Sequence, residues 1–139
     1  MSDIVVVVTK SGKLALRNLA NYGYAYTINK FVAGDGGHDP ATGEPLVPDR
    51  TLTSLPQQSF GPKEIGDGNI KQVSNFDTEY SLEILSSETN ISAISNVGLI
   101  GTLTNGPNAG GEFLYGLGNF NLFSIPVSGF LKIKVIVKH

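Results

Sequence analysis

Gly34, Asp35, Gly36 and Gly37, followed by prolines at 40, 45, 48 and 56, divide this chain in two. Glycines tolerate positive φ, so several positions here can leave extended geometry and end a strand. Proline donates no backbone hydrogen bond, so no ladder runs unbroken through residues 40–56. The segment from Gly34 to about Arg50 is therefore expected to be a long, irregular surface loop. Loops of this length carry function more often than shorter ones do. The chain before the loop reads as a compact strand–helix–strand unit, and the chain beyond Phe60 reads as short strands.

Ile4, Val5, Val6, Val7 and Val8 are all β-branched and predict a strand. They show no polar alternation. Either both faces are buried in an internal strand, or the segment is an arm that pairs with a neighbouring subunit. Thr9 or Ser11 can cap a helix over residues 11–22, closed by Gly23. Leu14, Ala15, Leu16, Leu19 and Ala20 form its apolar stripe, which is expected to dock on a sheet because three turns do not persist alone. Residues 24–33 alternate as a half-buried strand. Ile65 to Ile70, with Asp67 and Gly68 at its centre, carries a hairpin signal. A strand is expected around residues 80–85 and one or two strands, broken by Gly98 and Gly101, over 91–103, then a turn-rich loop over 105–111 and a glycine-interrupted strand over 113–120. Leu131, Ile133, Val135 and Val137 alternate with Lys132, Lys134 and Lys138, predicting a terminal strand with a basic outer face, placed at an edge by its lysines. The class is α+β, mostly β: antiparallel sandwich-like sheets with one N-terminal helix packed on a sheet and a Pro/Gly-rich loop. By size, residues 1–139 form one domain.

Hydrophobic residues make up 40% of the chain and charged residues only 16%, which suits β-rich surfaces of Ser, Thr, Asn and Gly rather than helical ones. The net charge of −2, with no basic stripe beyond the C-terminal lysines, gives no nucleic-acid footprint. There is no cysteine, so disulfides and thiolate metal sites are excluded. The apolar run at 4–8 is too short to span a membrane and, with Asp3 before it, does not make a secretory signal. The expectation is a soluble protein made in the cytosol.

Asp35, His38 and Asp39 form the obvious chemical cluster. Counting a calcium loop from Asp35 puts Gly37 at the third position and Leu46 at the twelfth, so the required oxygen ligands are missing. Glu44 and Asp49 could complete only an irregular site. The bland alternative is a turn in which Asp35 caps local amides. The two histidines, His38 and His139, have no nucleophile elbow beside them. The carboxylates Asp35, Glu64, Asp67, Asp77, Glu79 and Glu83 offer no pair that spacing selects. Tyr22, Tyr24, Tyr26, Phe113, Tyr115, Phe120 and Phe123 could form a sugar platform, but at strand spacing they read first as core. No enzyme, metal or cofactor is expected. A large apolar fraction with few charges fits a protein that assembles with others.

The order of landmarks adds to this reading. A β-branched start leads into Thr9, Lys10, Ser11, Gly12 and Lys13. A strand ends in Gly34, Asp35, Gly36 and Gly37, and a Pro-rich loop leads to Leu52, Thr53, Ser54 and Leu55. Later come Ser95, Asn96, Val97, Gly98 and Leu99, then Gly111 to Gly118, Asn119 and Phe120. In this order the chain resembles the N-terminal, baseplate-attachment domain of the tail-collar fibre family of contractile-tail phages and tailocins. The matching places are Gly34–Gly37, Gly98 with Leu99, and Gly118 with Asn119. Asn96 stands where an acidic residue is common in that family, and the tryptophan common there is absent. A fibre shaft and receptor-binding tip would continue beyond His139. The resemblance implies a structural virion protein in the tail, made in the host cytoplasm, that attaches or adapts a fibre at the baseplate. It implies other tail proteins as partners and a homo-oligomer, a trimer first, with neither nucleic acid nor membrane bound. A carbohydrate- or receptor-binding module of a tail is the alternative. The expected partner-binding residues are Ile4 to Val8 and His38, Asp39, Pro40, Pro45, Leu46, Val47 and Pro48. Gly34, Asp35, Gly36, Gly37, Gly98 and Gly118 are expected as structural turns.

Overall fold

The computed structural model describes residues 4–138, so Asp3 and His139 lie outside the described residues. The described residues are mostly β, with one α-helix and a single eight-stranded mixed sheet. The strands are β1 (Ile4–Val8), β2 (Tyr26–Gly34), β3 (Gln58–Glu64), β4 (Ile70–Gln72), β5 (Asp77–Leu85), β6 (Ala93–Leu103), β7 (Glu112–Ser124) and β8 (Phe130–Lys138), and helix α1 spans Lys10–Tyr22. Their order across the sheet is β3-β2-β6-β7-β1-β8-β5-β4.

β1 is the joint of the molecule. Val7 and Val8 pair antiparallel with Leu117 and Gly116 of β7, whereas Ile4, Val5 and Val6 pair parallel with Val135, Ile136 and Val137 of β8. This one parallel ladder departs from the antiparallel pairing expected throughout. β1 is therefore an internal strand and not a free arm, because both of its edges are hydrogen-bonded within the chain. β8 is internal too, held by β1 on one side and β5 on the other, so its lysines do not guard an edge. They do mark a solvated face: Lys132, Lys134 and Lys138 are exposed while Leu131, Ile133, Val135 and Val137 are buried. The two halves of the sheet share one core. Phe31, Ala33, Val97, Leu99 and Tyr115 from one half pack with Leu82, Ile84, Ile133 and Val135 from the other, and Ile4 and Val6 of β1 contribute to it. A side chain of this kind stabilises by about 1.5–3 kcal/mol when fully buried.

The segment over residues 65–70 does not make a hairpin. A short 3₁₀ turn, Asp67–Asn69, connects β3 and β4, which lie at opposite edges of the sheet and pair with β2 and β5. The local turn chemistry is present, but the hydrogen-bond partners of each strand are distant in sequence.

Helix α1 begins where Thr9 caps it, its Oγ1 accepting from the Gly12 N–H at 3.0 Å, and ends on Gly23 in left-handed geometry at φ 72°. It seats on β7 through Gly12 and Ala15, not through its leucines. A Cβ on Gly12 would lie 2.4 Å from the Tyr115 carbonyl oxygen. Close approach through small residues leaves Leu14, Leu16 and Leu19 on the flanks, and all three are exposed. The expected docking of the leucine stripe is therefore corrected.

The Gly34–Arg50 segment is more ordered than expected. His38 and Pro45 form an isolated antiparallel bridge. The Asp39 N–H donates to the Glu44 carbonyl at 2.8 Å and the Gly43 N–H to the Asp39 carbonyl at 2.7 Å, with Gly43 at φ 76°. The chain then runs back over the outer face of the sheet. There Leu55 is buried with Val32 and Leu117, with Leu52, Val7 and Ile100 packed around them in a second, smaller core.

The glycines over 34–37 do end β2 as expected, but not through positive φ. Gly34, Gly36 and Gly37 do not adopt positive φ. Each lies where backbone crosses backbone: an added Cβ would meet the Gln57, Pro56 and Ser95 carbonyl oxygens at 2.3, 2.6 and 2.1 Å respectively. Gly98 and Gly118 sit inside β6 and β7 rather than in turns. Gly98 makes room for Leu114 and Val32, and Gly118 makes room for Ile4.

Candidate functional site: a groove across the first strand

The two segments expected to bind a partner are brought together. Alternation along β1 sends Ile4 and Val6 into the core and turns Val5 and Val7 towards the other face. The hairpin of residues 38–45 and the chain just after it bring Pro45, Leu46 and Pro48 alongside. Phe120 and Phe123 of β7 complete an open, apolar groove of about 720 Å³. That volume lies within the range of about 300–1,000 Å³ common for binding clefts. Val5 is 50% exposed; Val47 is 90% exposed but does not line the groove.

Specific hydrogen bonds hold the loop in place. The Leu46 N–H donates to the Gly37 carbonyl at 2.9 Å, and the Asn119 amide Nδ2 donates to the Leu46 carbonyl at 2.9 Å. Gly118 and Asn119 thus act as a pair: the glycine admits Ile4 beside β7 and the asparagine ties down the loop. At the base of the hairpin the Ser95 Oγ accepts from the Gly37 N–H at 2.8 Å and hydrogen-bonds His38 Nδ1 at 2.8 Å. Asn96 Nδ2 donates to the Pro56 carbonyl at 2.9 Å, while its Oδ1 is buried with no partner. The sequence landmarks Gly34–Gly37, Ser95–Gly98 and Gly118–Asn119 are therefore packed into one connected region of the fold.

The remaining candidates separate from this groove. Val6 is buried in the core, and Val8 packs against its margin. His38 is half-buried against Ser95; Ser95 itself is 0% exposed, so this Ser–His contact offers no nucleophile to a substrate. Asp39 accepts from the Ala41 N–H at 2.9 Å in a local turn, and Pro40 is exposed at the hairpin tip. Asp35 is exposed and caps no amide among the described residues; Asp39 and Asp49 do the capping in this loop. Among the described residues no three His, Asp or Glu side chains converge as a metal site.

No family model, curated protein or solved structure matches the chain. The likeness to tail-fibre attachment domains rests on the residues alone.

The aromatic residues split. Tyr22 and Tyr24 stack at 5.3 Å at the end of α1, with Tyr22 65% exposed. Tyr26, Tyr80 and Tyr115 gather at one end of the core instead. Burial pushes the Tyr80 hydroxyl up to about 12 and raises Tyr26 and Tyr115 as well, Tyr26 against a hydrogen bond with Tyr115 that pulls it down. Sequence reasoning missed Leu52 and Leu55 as the cover of the outer face. Their signal was present, two leucines in a polar, proline-rich stretch, but it did not reveal what they cover.

No helix is long and apolar enough to cross a membrane among the described residues.

Proposed function

We propose that this chain is a non-enzymatic structural protein in the tail of a phage or phage-like particle, a baseplate or tail-fibre attachment component that holds a neighbouring subunit through the groove across β1. The observation that supports this most is the convergence of Val5, Val7, Pro45, Leu46 and Pro48 on one apolar cleft. Those residues come from two segments that already read as contact surfaces. Exposed apolar clefts of this size favour protein partners over solvent. The two halves of the sheet, wrapped around a shared core in a sandwich-like way, would give the groove a rigid wall. A partner adds no strand to β1 or β8 in this reading; it is held by side-chain burial. Oligomerisation, as a trimer first, belongs to the same proposal.

The alternative, a carbohydrate- or receptor-binding module of a tail, finds support only in Tyr22 and Tyr24. These rings stack on each other, at an interplanar angle of 29°, rather than forming a flat platform for a sugar.

Purified particles from a strain carrying the gene test the proposal. The chain should be present in them, and particles made with Leu46→Asp should lack the attached component in electron micrographs. Absence of the chain from particles, or unchanged particles with Leu46→Asp, refutes it.

A further inference from the structure

A second groove of about 420 Å³ lies beside the first and shares Val5 and Val7 with it. Its apolar floor also includes Leu16, one of the helix leucines left exposed by the close seating of α1. Among the described residues its charged lining is all of one sign: Lys13 from α1, Arg50 from the returning loop and Lys138 from β8. Among the described residues no carboxylate lines it and none of these three cations is in an ion pair. This asymmetry stands out in a chain whose net charge is −2. Three elements remote in sequence bring their cations to one apolar cleft, continuous through Val5 and Val7 with the groove already described.

We infer that the pair of grooves takes a peptide segment of a partner protein in which an apolar run adjoins carboxylates, the apolar run lying against Leu46 and Pro48 and the carboxylates between Lys13, Arg50 and Lys138. This rests on the reading of the β1 face as an attachment surface and names the chemistry of what is attached. A second copy of the chain is the wrong occupant for a two-fold contact, since that would set the three cations against themselves. A nucleic acid strand is disfavoured because, among the described residues, no aromatic ring lines this basic cleft for a base to stack on. Free phosphate leaves the floor of Val5, Val7 and Leu16 unused.

The test selects short random peptides on the immobilised full chain and on two variants, Leu46→Asp and the double variant Lys13→Glu with Arg50→Glu. Both changes fall on exposed side chains. The wild-type protein should enrich peptides with apolar residues next to Asp or Glu. Those peptides should bind the double variant about tenfold or more weakly. Their binding to the wild-type chain should also weaken as salt screens the charges. If Leu46→Asp abolishes binding while the double variant and salt leave it intact, the attachment surface stands and the acidic-partner inference falls. If neither variant changes binding, or nothing is enriched, both fall. Tighter binding of single-stranded DNA than of the selected peptides, or self-association lost in the double variant, also overturns the inference.

Discussion

Replacing Gly37 with alanine separates two explanations for a glycine-rich loop: conformational freedom and close approach. A Cβ at this position would lie 2.1 Å from the Ser95 carbonyl oxygen, 2.7 Å from its carbon and 2.8 Å from the Asn96 Cβ. Ordinary contacts between such atoms need about 3.5 Å, so something must move by about 1 Å. Ser95 and Asn96 are fully buried in β6, an internal strand held between β2 and β7, and cannot give way cheaply. The hairpin must lift instead, at about 1–3 kcal/mol for overpacking. Lifting the hairpin also breaks the bonds of Ser95 Oγ to the Gly37 N–H and to His38 Nδ1 and leaves a buried hydroxyl unpaired, which adds about 1 kcal/mol or more. The expected total is roughly 3 kcal/mol, a large part of the ~5–15 kcal/mol that holds a typical domain together. Urea unfolding monitored by circular dichroism measures it, and the midpoint should fall by about 1–3 M at ordinary denaturant sensitivity. Gly43 is the control in the same loop. It has positive φ and nothing within 4 Å of an added Cβ. Gly43→Ala should cost only the ~1–2 kcal/mol of left-handed geometry, and Gly43→Asn less, because Asn visits that region readily. If Gly37→Ala stays within about 0.5 kcal/mol of the parent, or costs less than Gly43→Ala, the close-approach explanation is wrong.

Leu55→Ala removes the plug of the second core, and calorimetry should show a loss of about 2–5 kcal/mol; an effect below ~1 kcal/mol means the returning loop does not cover the sheet. Tyr26, Tyr80 and Tyr115 hold their protons more tightly folded than unfolded, so the stability they contribute is complete below the ordinary tyrosine range near pH 10. It is lost as pH rises through the folded values, about 12 for Tyr80. Alkaline titration should therefore show their ionisation delayed and coupled to unfolding, and replacing Tyr80 with Phe should lessen the loss at high pH. Ionisation of all three near pH 10 with the fold intact contradicts their burial.

Local pattern made much of the secondary structure readable. β1 spans 4–8 as its β-branched run implied, α1 lies within one residue of its predicted span, and the alternation of Leu131 to Val137 describes β8 faithfully. Pairing was not readable. Nothing local in Ile4 to Val8 shows that the strand changes partner midway, from β8 to β7. Nor does the turn at Asp67 and Gly68 show that its flanking strands go to opposite edges. The helix misled for a physical reason: hydrophobicity ranked Leu14, Leu16 and Leu19 above Gly12 and Ala15, but the backbone-to-backbone seat on β7 selected by size. The same blindness affected the glycines. Sequence marks Gly34, Gly36, Gly37, Gly98 and Gly118 as special, yet the reason for each is a neighbour remote along the chain. The groove was half legible. Both contributing segments were expected to make contacts, while their meeting, and the role of Asn119 in fixing Leu46, needed the fold.

The proposed attachment surface is tested most directly by placing a photo-crosslinking side chain at Leu46 in intact particles, with a control at Gly68, where an added side chain meets open space and φ is not positive. Irradiation followed by mass spectrometry should join position 46, and not position 68, to a different tail protein, through a segment with apolar residues next to carboxylates. Crosslinks from position 46 that stay within its own chain, or none at all in particles that contain the protein, contradict the account.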